Sequence, residues 1–87
     1  MAKVIYPGTF DPVTYGHIDI VKRAVELFDE VIVTVAKNPA KTSLFTVDER
    51  VEMLKDSLKE FEKVHVDSFD GLVVDHAKNC GAIGIIR

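Results

Sequence analysis

Gly8-Thr9-Phe10-Asp11-Pro12-Val13-Thr14-Tyr15-Gly16-His17 joins a short apolar run to an amphipathic stretch, and the reading of this junction decides the fold. Upstream, Val4-Ile5-Tyr6 reads as a buried strand. Downstream, Ile18, Val21, Val25 and Phe28 recur at the helical period. A loop between a parallel strand and a helix start presents free backbone N–H groups and the positive end of the helix dipole, an arrangement that holds phosphate. Gly8, after Pro7, lets the backbone turn with no Cβ in the way, and Gly16 does the same beside His17. Thr14 is the expected N-cap, which puts His17 at the third helical position.

The rest of the chain continues the alternation. Glu30–Ala36 is a β-branched run whose continuous apolarity suits a strand covered on both faces. Residues 38–43 read as loop, and Thr46-Val47-Asp48-Glu49 is a capping box opening a second helix, with an apolar stripe of Val47, Val51, Leu54, Leu58 and Phe61. A third strand is expected at 64–68, a turn at Gly71, a short helix at 72–79 stopped by Gly81, and a fourth strand at 82–87. The expected fold class is therefore α/β: a Rossmann-like open parallel sheet of four strands with three helices and right-handed crossovers.

Composition bounds the function. Eighty-seven residues make one domain or part of one, and such a chain buries only about 60 to 65% of its unfolded surface. A net charge of -3 with mixed signs argues against a nucleic-acid surface, which needs clustered Lys and Arg. The single cysteine, Cys80, excludes an intramolecular disulfide and offers no cysteine-rich zinc cluster; it is expected to pack at a helix end, and no metal ligands are assigned. The N-terminus lacks the apolar core of a signal peptide and no run has the length of a membrane span, so no membrane partner is expected and the expected location is cytoplasmic.

In open parallel sheets ligands bind beyond the C-terminal strand ends, where the strand order reverses. An order of 3-2-1-4 puts that crevice between the first and fourth strands. The Gly8 to His17 loop leaves the first strand, Lys41 follows the second, and Arg87 ends the fourth, so three cationic or potentially cationic groups should converge there. The remaining polar groups read as solvated. His65 should face solvent on its strand, His76 should sit on a helix surface, and Asp11 should cap the loop. Asp48-Glu49-Arg50 and Lys55-Asp56 should form an exposed, ion-paired helix face.

The stretch from Tyr6 through His17 to Ile20 resembles the first motif of nucleotidyltransferases carrying a (His/Thr)-x-Gly-His signature. Within them it is most similar to the phosphopantetheine adenylyltransferases, as are Asn38-Pro39-Ala40-Lys41, Leu44 to Arg50, and Ile85-Ile86-Arg87. Thr14 in place of a first histidine favours this branch. The resemblance implies transfer of the adenylyl group of ATP to 4'-phosphopantetheine, giving dephospho-coenzyme A and pyrophosphate in coenzyme A biosynthesis, with Mg²⁺ on the ATP phosphates. It implies that His17 is catalytic and contacts ATP together with Thr9 and Phe10, that Thr9, Lys41, Val73 and Arg87 bind the acceptor, and that the protein assembles as a hexamer.

By the same resemblance, residues 1–87 are the N-terminal part of a single nucleotidyltransferase domain. The family's Gly-Leu-Arg continuation and serine-rich ATP-gripping segment lie beyond Arg87, so this chain alone is expected to turn over weakly or not at all. Two alternatives stay open: another nucleotidyltransferase of the same superfamily, or a non-catalytic half-domain that self-associates through an unpaired strand edge.

Overall fold

The computed structural model describes residues 2–10, 13–37 and 45–86. Its elements run β1 (Lys3–Gly8), α1 (Tyr15–Leu27), β2 (Glu30–Ala36), α2 (Val47–Ser57), β3 (Val64–Phe69), α3 (Val73–Cys80) and β4 (Gly84–Ile85). The sheet is parallel throughout, in the order β3-β2-β1-β4. The expected 3-2-1-4 order and α/β class are therefore observed, with the reversal between β1 and β4.

Both helix starts are built as the sequence indicates. At α1 the Thr14 hydroxyl accepts from the His17 N–H, and at α2 the Thr46 hydroxyl accepts from the Glu49 N–H at 3.1 Å while Glu49 accepts from the Thr46 N–H at 2.9 Å. The Thr46 N–H, and after it the Thr46 side chain, holds the Glu49 carboxyl below its usual range. Helix α3 ends at Gly81, whose φ of 76° is the left-handed conformation glycine adopts without strain.

Alternation along the strands divides the core in two. Val4 and Tyr6 of β1, with Val31, Val33 and Val35 of β2, face α1 and α2 and pack with Val21, Ala24, Leu54 and Leu58. Ile5 and Ile32 point the other way, under Ala77 of α3, with Cys80, Ala82 and Ile85 at the margin. Right-handed crossovers explain the split: two move outward from β1 to β3, and the third returns past β1, so its helix lies on the opposite face.

The fourth strand is shorter than its six-residue expectation. Among the described residues only Gly84 and Ile85 pair with β1, flanked by bonds from the Ile83 N–H to the Lys3 carbonyl and the Ile86 N–H to the Ile5 carbonyl. With Ile85 opposite Ile5 and Gly8 opposite Val35, this ladder stops well before the edge where the loop after β1 departs. The predicted 38–43 loop lies outside the described residues.

Leu54, only 1% exposed, anchors α2 on the sheet. Leu54→Ala is expected to destabilise by about 2–5 kcal/mol, whereas Leu27→Ala, at a side chain 77% exposed, should stay within about 0.5 kcal/mol of the parent. Urea unfolding followed by circular dichroism checks both; equal effects would contradict the assigned core.

Candidate functional site

The site begins where β1 ends. Beyond Gly8 the backbone turns at Phe10, whose φ of 50° makes it the one non-glycine residue with positive φ among those described. That conformation costs a non-glycine residue about 1–2 kcal/mol. It turns the ring inward, where Phe10 is 3% exposed, edge-on to Tyr6 at 5.4 Å and to His17 at 4.8 Å between centroids. Gly8 is required for a different reason from the turn inferred in the sequence. It continues the strand, and a Cβ there would meet the Phe10 ring at 3.0 Å.

Across the site stands a residue that sequence reasoning missed. Arg50, read as part of an exposed helix face, is 4% exposed: its Nη1 donates to the Thr9 carbonyl at 2.9 Å and its Nε to the Thr46 carbonyl at 3.3 Å. The correction has a simple physical cause. Helix α2 packs its Val47, Val51 and Leu54 stripe on the sheet, and Arg50, one turn before Leu54, shares that inward side. Its guanidinium has no carboxylate partner among the described residues, so its charge is solvated by carbonyl dipoles. Thr9 is exposed while its carbonyl is held from inside. A charged residue four positions before a core leucine was the available signal.

His17 closes the loop at the third position of α1. The Thr14 backbone N–H donates to His17 Nδ1 at 2.9 Å. An N–H can only donate, so Nδ1 carries no proton and the neutral ring holds its hydrogen on Nε2. Burial pushes the imidazole pKa down from its ordinary value, and the positive helix end acts in the same direction. The Thr14 hydroxyl lies 3.2 Å from the same Nδ1, and among the described residues no hydrogen bond to Nε2 occurs, which leaves Nε2–H available to an acceptor from outside.

Of the other expected site residues, Val73 is the half-buried first residue of α3, following β3 at the same sheet edge as the loop. Lys41 and Arg87 lie outside the described residues, as does Asp11, so the convergence of cations expected there is not part of the geometry. The solvated reading of His65 agrees with its exposed side chain, near Glu30 at 3.6 Å. That of His76 is corrected: it is turned inward, bonded to Asp67 at 3.0 Å and stacked on Phe69. The α3 turn that buries Ala77 carries its neighbour inward too.

Two outcomes follow. Because the folded His17 pKa lies below the unfolded value of about 6.5, its contribution to stability is complete above that value and is lost as pH falls through the folded value. An NMR titration should find His17 protonating below the ordinary range, with loss of amide protection at the start of α1; protonation at or above it would overturn the tautomer. Arg50→Met leaves the Thr9 carbonyl unpartnered and is expected to cost about 1–3 kcal/mol, a fall in melting temperature of about 4–8 °C per kcal/mol, with the largest shifts in the Phe10 ring resonances.

A family model described as cytidylyltransferase-like matches residues 5–86. Among curated proteins, the phosphopantetheine adenylyltransferase of Caldanaerobacter subterraneus subsp. tengcongensis is 56% identical over 87 residues, covering 100% of this chain and 54% of that protein. Its namesake from Desulforamulus reducens is 59% identical over 83 residues, covering 95% and 52%. The chain thus spans about half the length of the curated relatives it matches. The crystal structure of the lipopolysaccharide core biosynthesis protein from Thermoplasma volcanium GSS1 is similar with a TM-score of 0.74 at 25% identity, over 98% of this chain and 72% of that one. The NadR protein, solved in complex with NAD and AMP-PNP, shares the fold with a TM-score of 0.72 at 22% identity, over 79% of this chain and 20% of that one. The matched region runs from Ile5 in β1 to Ile86 just past β4 and takes in the Phe10 to His17 loop, and the chain therefore belongs to the cytidylyltransferase-like family.

Proposed function

We propose that the chain forms one wall of a site that transfers the adenylyl group of ATP to the phosphate of 4'-phosphopantetheine, releasing pyrophosphate and giving dephospho-coenzyme A. The carrying observation is the neutral His17 ring, fixed by the Thr14 N–H so that Nε2–H is free at the start of α1. The name shared by the curated relatives supplies the reaction.

The acceptor phosphate is already an anion, so no side chain need remove a proton. One of its oxygens forms a bond to the α-phosphorus of ATP, and the bond from that phosphorus to the bridging oxygen breaks, its electron pair leaving with pyrophosphate. Catalysis then rests on alignment and on donors aimed at the charge that builds on the α-phosphate. His17 supplies Nε2–H, and the first turn of α1 supplies its dipole. Thr9 and the Phe10 backbone position nucleotide and acceptor, on a loop whose shape is fixed by the Arg50 bond.

In this reading Lys41 and Arg87 grip the acceptor phosphate, Arg87 in a bidentate manner, and Val73 lines the pantetheine arm. Mg²⁺ would enter on the ATP phosphates and there offset their charge. Residues 1–87 are then the N-terminal part of a single domain in a cytoplasmic hexamer. Among the described residues no helix is long and apolar enough to cross a membrane.

Pyrophosphate release from ATP and 4'-phosphopantetheine, measured in the full-length context, tests the reading. His17→Ala should lower the rate about 100- to 1000-fold. His17→Glu keeps an acceptor for the Thr14 N–H but sets a carboxylate against the phosphate, so it should hold α1 while losing ATP. A rate unaffected by either substitution would remove His17 from the reaction. No turnover together with no ATP-induced shift of the His17 and Phe10 resonances would overturn the reading itself.

A further inference from the structure

On the sheet face away from the Phe10 to His17 loop, three side chains of different chemistry meet. Asp67 Oδ2 of β3 lies 3.0 Å from His76 Nε2 of α3, and Cys80 Sγ, one helical turn beyond His76, lies 3.7 Å from the same nitrogen. All three donor atoms fall within 4.8 Å of one another. We propose that Asp67, His76 and Cys80 form a binding site for a divalent cation of the zinc class.

The separations match such a role. With metal–nitrogen and metal–oxygen bonds of about 2.0–2.2 Å and a metal–sulfur bond of about 2.3 Å, two ligands on one tetrahedral ion stand about 3.3 Å apart for the nitrogen–oxygen pair and about 3.5 Å for nitrogen–sulfur. Tenths of an ångström separate those two pairs from these values, and the Asp67–Cys80 pair, within 4.8 Å, closes by up to about 1 Å to reach the oxygen–sulfur separation of about 3.6 Å. The donor set selects the ion: thiolate and imidazole favour zinc, cobalt and their neighbours, whereas magnesium and calcium take oxygen. Charge also balances, since one carboxylate, one thiolate and a neutral imidazole sum to the charge that a divalent ion cancels. Three protein ligands leave a fourth position for water.

The cluster is oriented from behind. Thr34, 1% exposed in β2, donates its hydroxyl to Asp67 Oδ1 at 2.7 Å, which leaves Oδ2 directed at His76. Phe69 lies flat against the imidazole, with centroids 4.2 Å apart and planes at 19°, which fixes the ring. Such backing groups are what hold first ligands in place at metal sites. The His76 side chain is 12% exposed and Asp67 37%, so the position is sheltered yet reachable.

Without a cation the cluster is unfavourable to a thiolate. Burial and then the Asp67 charge push the Cys80 thiol pKa up, with Lys3 acting weakly in the other direction. A dication between these groups reverses that field: the metal–sulfur bond forms, the S–H bond breaks, and the proton leaves to solvent. The sequence count of one cysteine excluded a cysteine-rich cluster, but it says nothing against a mixed set whose members come from a strand and a helix.

Cobalt(II) titration of the reduced, metal-free protein is the test. The expected result is one ion bound per chain, with the near-ultraviolet thiolate-to-cobalt band and the intense visible bands of a four-coordinate ion. Both should be erased by one equivalent of zinc and untouched by excess magnesium. Cys80→Ser should remove the thiolate band while circular dichroism stays unchanged. Thr34→Val, which keeps side-chain volume and touches no metal, should weaken binding about 10- to 100-fold. A spectrum that stays that of the hydrated octahedral ion, a band that survives Cys80→Ser, or Thr34→Val binding as tightly as the parent would each overturn the site.

Discussion

A buried guanidinium with no carboxylate partner among the described residues holds the Thr9 carbonyl just after β1 in place. Taking a charge out of water is tolerated only where polar groups replace the lost solvation, and Arg50 finds them in the carbonyls of Thr9 and Thr46. A hydrogen bond to a charged group contributes about 1.5–3 kcal/mol, the same order as the left-handed strain carried by Phe10. The bond therefore sits beside the backbone conformation it offsets. With Thr9 held and Phe10 turned inward, its ring lies against His17, and Gly8 leaves that ring the space it needs. Each of these residues has its meaning only in the presence of the others.

The elements were legible because local rules and the global fold agree. β2 is apolar without alternation since helices cover it on both faces, and its expected and observed limits coincide at Glu30–Ala36. Both helix starts carry their own hydrogen-bonding partners three residues on, so sequence alone placed Thr14 and Thr46 as caps. The strand order 3-2-1-4, a condition for placing the crevice rather than a consequence of local sequence, is the one the sheet adopts. In the candidate site, the place of His17 was legible through the loop it closes, whereas Thr9, Phe10 and Val73 were named only through resemblance.

What escaped is tertiary. Locally Arg50 differs from its exposed neighbours Asp48 and Glu49 only in standing four positions before Leu54, and the approach of Thr9, distant in sequence, completes its burial. His76 likewise looks like a surface residue until Asp67 and Phe69 are brought under it by the β3–α3 connection. Fourth-strand length was misjudged because an apolar run shows that a segment can pair, not how many residues find a partner. The sheet thus carries two chemically distinct constellations, one on each face, and only the one contiguous in sequence could be read in advance.

The neighbour relations of β1 also set an order of assembly. β2 and β3 each reach their partner across a single helix, but β4 reaches β1 only when Gly84 and Ile85 come back to Val4 and Ile5 from the far end of the chain. Closing so long a loop is entropically the slowest of the four strand placements, and few ladder bonds reward it. During synthesis β1 is therefore docked on one side and bare on the other until Gly84 and Ile85 have emerged. The same seam is where the finished sheet opens first, so amide exchange should spread inward from Ile83 and Ile86 long before it reaches β2.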